Sequence, residues 1–133
     1  MAQTPRKHKV LIASMSLDLG GAETHIVELC LKLQSRGLEV VAVSSGGIFV
    51  EHLQRAGIRH IEAPLHSRSP SSMLQARKIL AEILRKEQPD IVHAHARIPA
   101  FLLSSLCKKQ GIALVTTVHG SYAVSLPLRL LTR

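Results

Sequence analysis

Five short apolar runs, each leading into or out of a stretch with helical spacing, leave this chain few folds to choose from. The runs are KVLIAS from Lys9 to Ser14, EVVAVS from Glu39 to Ser44, IRHIEA from Ile58 to Ala63, DIVHAH from Asp90 to His95 and IALVTTV from Ile112 to Val118. The first is continuously apolar rather than alternating, and the second is rich in β-branched residues; both patterns suit buried strands. Between the runs, residues 22–36 place Ile26, Leu29, Cys30 and Leu33 on one helical face and end at Gly37, a helix-closing glycine. IFVEHLQRAG reads as a short helix closed by Gly57. Ser69 and Pro70 read as a helix start. Residues 71–88 follow as a helix, with Leu74, Ile79, Ile83 and Leu84 expected to face inward and Pro89 as the stop. Residues 98–110 form a last helix, closed by Gly111.

Strands that alternate with helices imply a parallel sheet covered on both faces. Right-handed crossovers then favour an α/β, Rossmann-like, doubly wound sheet with strand order 3-2-1-4-5. Such a sheet binds ligands at the carboxyl ends of its strands, where the strand order reverses. The reversal falls between the first and fourth strands. It sets Gly20 and Gly21, which join the first strand to its helix, beside HAHAR, His93 to Arg97. VHGSY, at the end of the fifth strand, comes next to them. Two adjacent glycines at such a joint serve either a tight turn or close approach of an anion to a helix start.

Length and charge narrow the function. A chain of 133 residues suits one domain with a sizeable core. No apolar run approaches the roughly 20 residues that span a bilayer, and the basic start MAQTPRKHK leads into a strand rather than a cleavage site. Cys30 and Cys107 fall in predicted helices among apolar neighbours, as reduced core thiols of a cytoplasmic protein do. The net charge of +8 invites an anionic partner. Lys32, Arg36, Arg55, Arg85, Lys86, Lys108 and Lys109 fall near predicted helix ends, where cations complement the helix dipole without any partner. The aromatics are Phe49, Phe101 and Tyr122, too few for a base-stacking platform, so nucleic acid is not an expected partner. An anionic membrane surface stays compatible, because basic helix faces suffice for it.

The phosphate loop is of no common nucleotide-binding kind. The joint reads LGGAE rather than G-x-G-x-x-G, the second strand ends SSGG without a ribose-binding acid, and no phosphate-loop lysine follows. His93 and His95 lie two apart, so in an extended segment they share a face; His93 is expected to be buried and His95 to face the cleft. A zinc pair would need a third ligand, which the sequence does not suggest, and no metal or cofactor is expected. His25 reads as a surface residue, Glu23 as a complement to the helix dipole and Asp18 as a turn residue.

The segment KVLIASMSLDLGGAETHIVELCLKLQSRGLEVVAVS resembles the start of retaining glycosyltransferases of family 4, which have the GT-B fold. PDIVHAH and LVTTVHGSY are similar to two further segments of that family, in the same order. The resemblance covers essentially the whole chain. It implies that residues 1–133 are the amino-terminal, acceptor-side domain of a two-domain enzyme, the carboxy-terminal donor-binding domain being absent from this chain. It also implies that Gly20 and Gly21 lie under the diphosphate of a nucleotide-sugar donor, and that His119 contacts the transferred sugar in the catalytic site. His95, Arg97 and Arg68 would face the acceptor. The acceptor so implied is a glycan or a lipid-linked cell-envelope precursor, as in lipopolysaccharide biosynthesis, handled in the cytoplasm or at the inner membrane face. The alternative is a non-catalytic Rossmann-like binding module acting with a partner chain. SLPLRLLTR carries Leu126, Leu128, Leu130 and Leu131, each worth about 1.5–3 kcal/mol when buried. They are expected to fold back onto the sheet or to pair with a second copy, giving self-association.

Overall fold

The computed structural model describes residues 7–67 and 69–118. Arg68, His119 and the leucines of SLPLRLLTR therefore lie outside the described residues. Five strands and four helices alternate: β1 (Lys9–Ala13), α1 (Gly21–Ser35), β2 (Glu39–Ser44), α2 (Val50–Arg55), β3 (Arg59–Glu62), α3 (Pro70–Glu87), β4 (Ile91–His95), α4 (Arg97–Gln110) and β5 (Ala113–Thr117). The sheet order is β3-β2-β1-β4-β5, and every pairing is parallel. The expected order and the reversal between β1 and β4 are both present.

Alternate residues of the central strands feed two cores, one on each face of the sheet. Leu11, Ala13, Val43, Val92 and Ala94 pack with α3 and α4 through Ala76, Leu80, Leu84, Leu103 and Leu106. Val10, Ile12, Val40 and Ala42 pack with α1 and α2 through Ile26, Val27, Cys30 and Leu53. This two-sided burial explains why the strands read as apolar runs. Cys30 and Cys107 are buried free thiols.

Local signals set the helix limits. Ser69 accepts a hydrogen bond from the Ser72 amide at 3.3 Å, with Pro70 as the first helical residue of α3. Gln88, the residue before Pro89, ends α3 in a left-handed conformation with φ 47°. One inward expectation for α3 is corrected. Leu74 is 56% exposed, whereas Ala76 and Leu80 are fully buried. Leu74 precedes Ile83 by nine residues, half a helical turn out of phase at 3.6 residues per turn. In α1 the buried stripe is Ile26, Val27 and Cys30, with Leu29 and Leu33 half-buried at its margin.

Candidate functional site

The loops at the carboxyl ends of β1 and β4 meet at the reversal point. They enclose a cavity of about 190 Å³ lined by Ser14, Met15, Ser16, Ala22, Glu23, Ile26, His95 and Ala96. The start of α1 and the end of β4 are thus brought together, as the topology requires.

The β1–α1 loop is held from behind by the loop after β2. The Leu17 amide donates to the Gly46 carbonyl at 2.8 Å, and the Phe49 amide donates to the Leu17 carbonyl at 3.0 Å. The Ser45 amide and hydroxyl both donate to the Met15 carbonyl, at 2.9 and 2.6 Å. Gly47 makes this approach possible. Its φ is +147°, and a Cβ there would overlap the backbone of Leu17 and Asp18, so only glycine fits. The sequence reading set SSGG aside for lacking an acid; the glycine pair itself was the signal it missed.

Gly20 and Gly21 differ from Gly47. Gly20 caps α1 with φ 174°, extended backbone that any residue adopts, and Gly21 is the first residue of the helix. A turn requirement does not explain this pair. A Cβ on Gly21 would meet nothing within 4 Å, and one on Gly20 would meet only the flexible carboxylate of Glu23. Among the described residues, no side chain caps the start of α1, in contrast to Ser69 on α3. The amides of the first turn are orphan donors, and here they open onto the carboxyl edge of the sheet.

His93 and His95 share the face of β4 that looks toward α1, with ring centroids 4.1 Å apart. Their depths are the reverse of expectation. His95 is only 1% exposed, while His93 is half-buried. The cause is the placement of α1, whose first turns, including Ala22 and Ile26, cover the last residue of β4. His95 nevertheless lines the cavity. The exposed His25 ring of α1 stands edge-on to His95, 6.5 Å between centroids. The Nε2 of His93 and the Oγ1 of Thr117 share a hydrogen bond of 2.7 Å.

Ala96, between β4 and α4, has φ 77° and ψ 166°. That region is essentially reserved for glycine and costs about 1–3 kcal/mol elsewhere. The Ala96 amide donates to the Thr117 carbonyl at 3.1 Å. Arg97 begins α4 with an exposed side chain, at the same edge as the cavity. Asp18 is exposed in the β1–α1 loop. Among the described residues, no group of three His, Cys, Asp or Glu is placed to hold a metal ion. No helix of the described residues is long and apolar enough to cross a membrane.

Known proteins are similar to this chain in sequence and fold. The profile of Glycosyltransferase Family 4 matches residues 19–133. The N-acetyl-alpha-D-glucosaminyl L-malate synthase of Bacillus anthracis is 31% identical over 112 residues, which cover 78% of this chain and 29% of the synthase. The crystal structure of a glycosyltransferase from Rickettsia africae superimposes with a TM-score of 0.80 at 28% identity, over 96% of this chain and 34% of that one. The MurG structure of Acinetobacter baumannii gives a TM-score of 0.72 at 15% identity, over 94% of this chain and 39% of its own, a likeness of fold. The chain spans roughly a third of the length of these relatives. With a GT-B half-fold, the expected strand order and a family profile over most of its length, this chain belongs to glycosyltransferase family 4.

Proposed function

We propose that this chain forms the acceptor-side half of a retaining glycosyl-transfer site, moving a sugar from a nucleotide-sugar to a hydroxyl-bearing acceptor. The observation that carries the reading is the juxtaposition at the reversal point. A helix start without a side-chain cap among the described residues, open above Gly21 and with the flexible Glu23 carboxylate beside Gly20, faces a cavity lined by His95 and Glu23. Transfer expels a diphosphate and builds positive charge on the anomeric carbon. In this reading the amides at Gly20 and Gly21 stabilise the departing anion. His95 and Arg97 serve the acceptor, with Arg68, and His119 holds a hydroxyl of the transferred sugar. A second domain, corresponding to the remaining length of the relatives, supplies the main grip on the nucleotide and the cationic part of the clamp. The reaction runs without metal or cofactor. The acceptor is a glycan or lipid-linked envelope precursor, met in the cytoplasm or at the inner membrane face.

The test is a titration of residues 1–133 with a nucleoside diphosphate, followed by amide and imidazole resonances. Weak binding is expected, with dissociation constants well above roughly a micromolar. The shifts should be confined to residues 20–23 and the end of β4, with no sugar transfer by this chain alone. Shifts centred elsewhere, or turnover by the isolated chain, would refute the division of labour. A non-catalytic module would bind neither donor nor acceptor at this edge even when joined to a second domain.

A further inference from the structure

The backbone of Gly20 does not require glycine, since its φ of 174° is open to any residue. The space beside its Cα has an occupant instead. A Cβ there would overlap Oε2 of Glu23, with Cδ at 3.3 Å and Oε1 at 3.9 Å. The absent side chain of Gly20 is thus the seat of the Glu23 carboxylate. The Gly20 carbonyl is committed to the helix, accepting from the Thr24 amide at 3.0 Å and from the Thr24 hydroxyl at 2.8 Å. A Cβ on Gly21 would meet nothing within 4 Å.

Glu23 is the third residue of α1. It is half-buried and lines the cavity together with Ser14 and His95. An acid at the third helical position reaches back to the helix cap and complements the positive end of the dipole. The first-turn amides draw it there for the same reason that they draw a phosphate. α3 follows another rule: its first turn holds no acid, and Ser69 caps it. The start of α1 therefore carries an anion of its own, beside the glycines that the transfer reading gives to the donor diphosphate.

We propose that Glu23 gates the diphosphate site: its carboxylate, seated against Gly20, swings out before a diphosphate takes the first-turn amides. The inference rests on the glycosyl-transfer reading of this edge. Two anions compete for one set of amides, so the chain's own carboxylate weakens the ligand's hold by the fraction of time that the seat is open. A seat open about a tenth of the time weakens apparent affinity about tenfold. The same competition hastens departure of the spent diphosphate, because the carboxylate returns to the amides it left. A ligand without an anion at this point does not displace Glu23, so the gate also selects for a diphosphate-bearing donor.

The test is a titration of residues 1–133 with inorganic pyrophosphate, read at the Gly20 and Gly21 amides. Glu23→Gln keeps the shape of the side chain and removes its charge. It should bind pyrophosphate about three- to tenfold more tightly than the parent. Glu28→Gln removes the same charge from an exposed position of the same helix. It should change affinity by less than about twofold, which separates the gate from a general gain of positive charge. Before pyrophosphate is added, hydrogen exchange in the first turn of α1 should be about two- to fivefold faster in Glu23→Gln, because the helix start loses its acid. Tighter binding alongside looser structure is a pairing that a merely structural acid does not give. Equal or weaker binding by Glu23→Gln at Gly20 and Gly21 overturns the gate and leaves the transfer reading standing, as does an equal gain in Glu28→Gln. Shifts centred away from residues 20–23 in every form overturn both together. Tighter binding by Glu23→Gln, in a protein that transfers no sugar once assembled with its second domain, upholds the gate and removes the glycosyl-transfer reading alone.

Discussion

At the amino-terminal edge of the sheet, Lys9, Glu39, Arg59 and Glu87 close an ion-pair network. Lys9 lies 3.8 Å from Glu39 and 3.5 Å from Glu87, Arg59 lies 3.9 Å from Glu39, and Arg59 also grips Glu87 directly. The Asp90 carboxylate accepts from the Lys9 amide at 2.7 Å, and the Asp90 amide donates to the Lys9 carbonyl at 2.9 Å. Each of these side chains ties one element to another. The carboxyl edge follows a different rule. There a glycine-started helix lacks a side-chain cap, a cavity of about 190 Å³ lies open, and one alanine holds a glycine conformation. One edge ties charged side chains together around a shallow cavity of about 320 Å³ that includes Glu39 and Arg59; the other turns a helix start and the His95 ring toward a smaller one. In a doubly wound sheet both edges carry polar loops. The two edges differ in how those loops are used.

The largest expected effect comes from forcing a side chain into the carboxyl edge. Gly47→Ala should destabilise by about 2–4 kcal/mol, because a Cβ overlaps the Leu17 backbone and the positive φ adds strain. Denaturant unfolding would measure it, and a loss under about 1 kcal/mol would mean that the two loops part easily. At the other edge, Glu87→Gln removes the charge shared by Lys9 and Arg59. We expect a loss of about 1–2 kcal/mol, held down because Arg59 is half exposed. Chemical shifts at residues 20–23 should stay unchanged, and their movement would break the independence of the two edges.

Acid separates the edges by pH window. His60 bonds Ser44 Oγ at 2.7 Å, and that oxygen also accepts from the Gly46 amide at 3.1 Å, so His60 supports the loop behind the site. Burial lowers the His60 pKa below 6.5, with Glu62 partly opposing. The folded state therefore favours the neutral ring, and this stability is present above about pH 6.5 and lost as pH falls through the lower folded value. The hydrogen bond from Arg59 lowers the Glu87 pKa below 4.5, against some desolvation. That contribution is present above about pH 4.5 and lost only as pH falls further. Hydrogen exchange against pH should show the Ser44–Gly47 loop loosening first. The reverse order would contradict this assignment of the two windows. The smallest effect is expected at Cys30, whose thiol pKa is pushed up to about 12 by burial. Alkylation of native protein at pH 8 should leave it untouched, and rapid labelling would show α1 opening on its own.

The fold was legible because its signals are local. Apolar runs, closing glycines and the Ser69–Pro70 start act over a few residues, and topology rules order them. The site was legible in part. The reversal point placed Gly20 beside His95, and the period of two placed His93 and His95 on one face. Their depths were not legible, because burial of His95 depends on where α1 crosses β4. Gly47 was missed because its glycine pair was read only for the acid it lacks, and Ala96 because a backbone angle leaves little trace in an alanine. Leu74 misled because an apolar residue in a helix does not announce its phase.

The helix ends carry a consequence for how the molecule meets a charged surface. Helices in such a fold run against their strands, so their last turns gather at the amino-terminal edge. Lys32, Arg85, Lys86, Lys108 and Lys109 sit in those turns, while Glu23 and Glu51 occupy first turns at the other end. Among the described residues the charge is therefore dipolar, with its positive pole pointing away from the cavity. Near an anionic interface, at low salt, torque on that dipole turns the basic pole to the interface and the cavity outward. An acceptor buried in such an interface would have to be lifted from it, or the orientation overcome by contacts at the cavity's own rim.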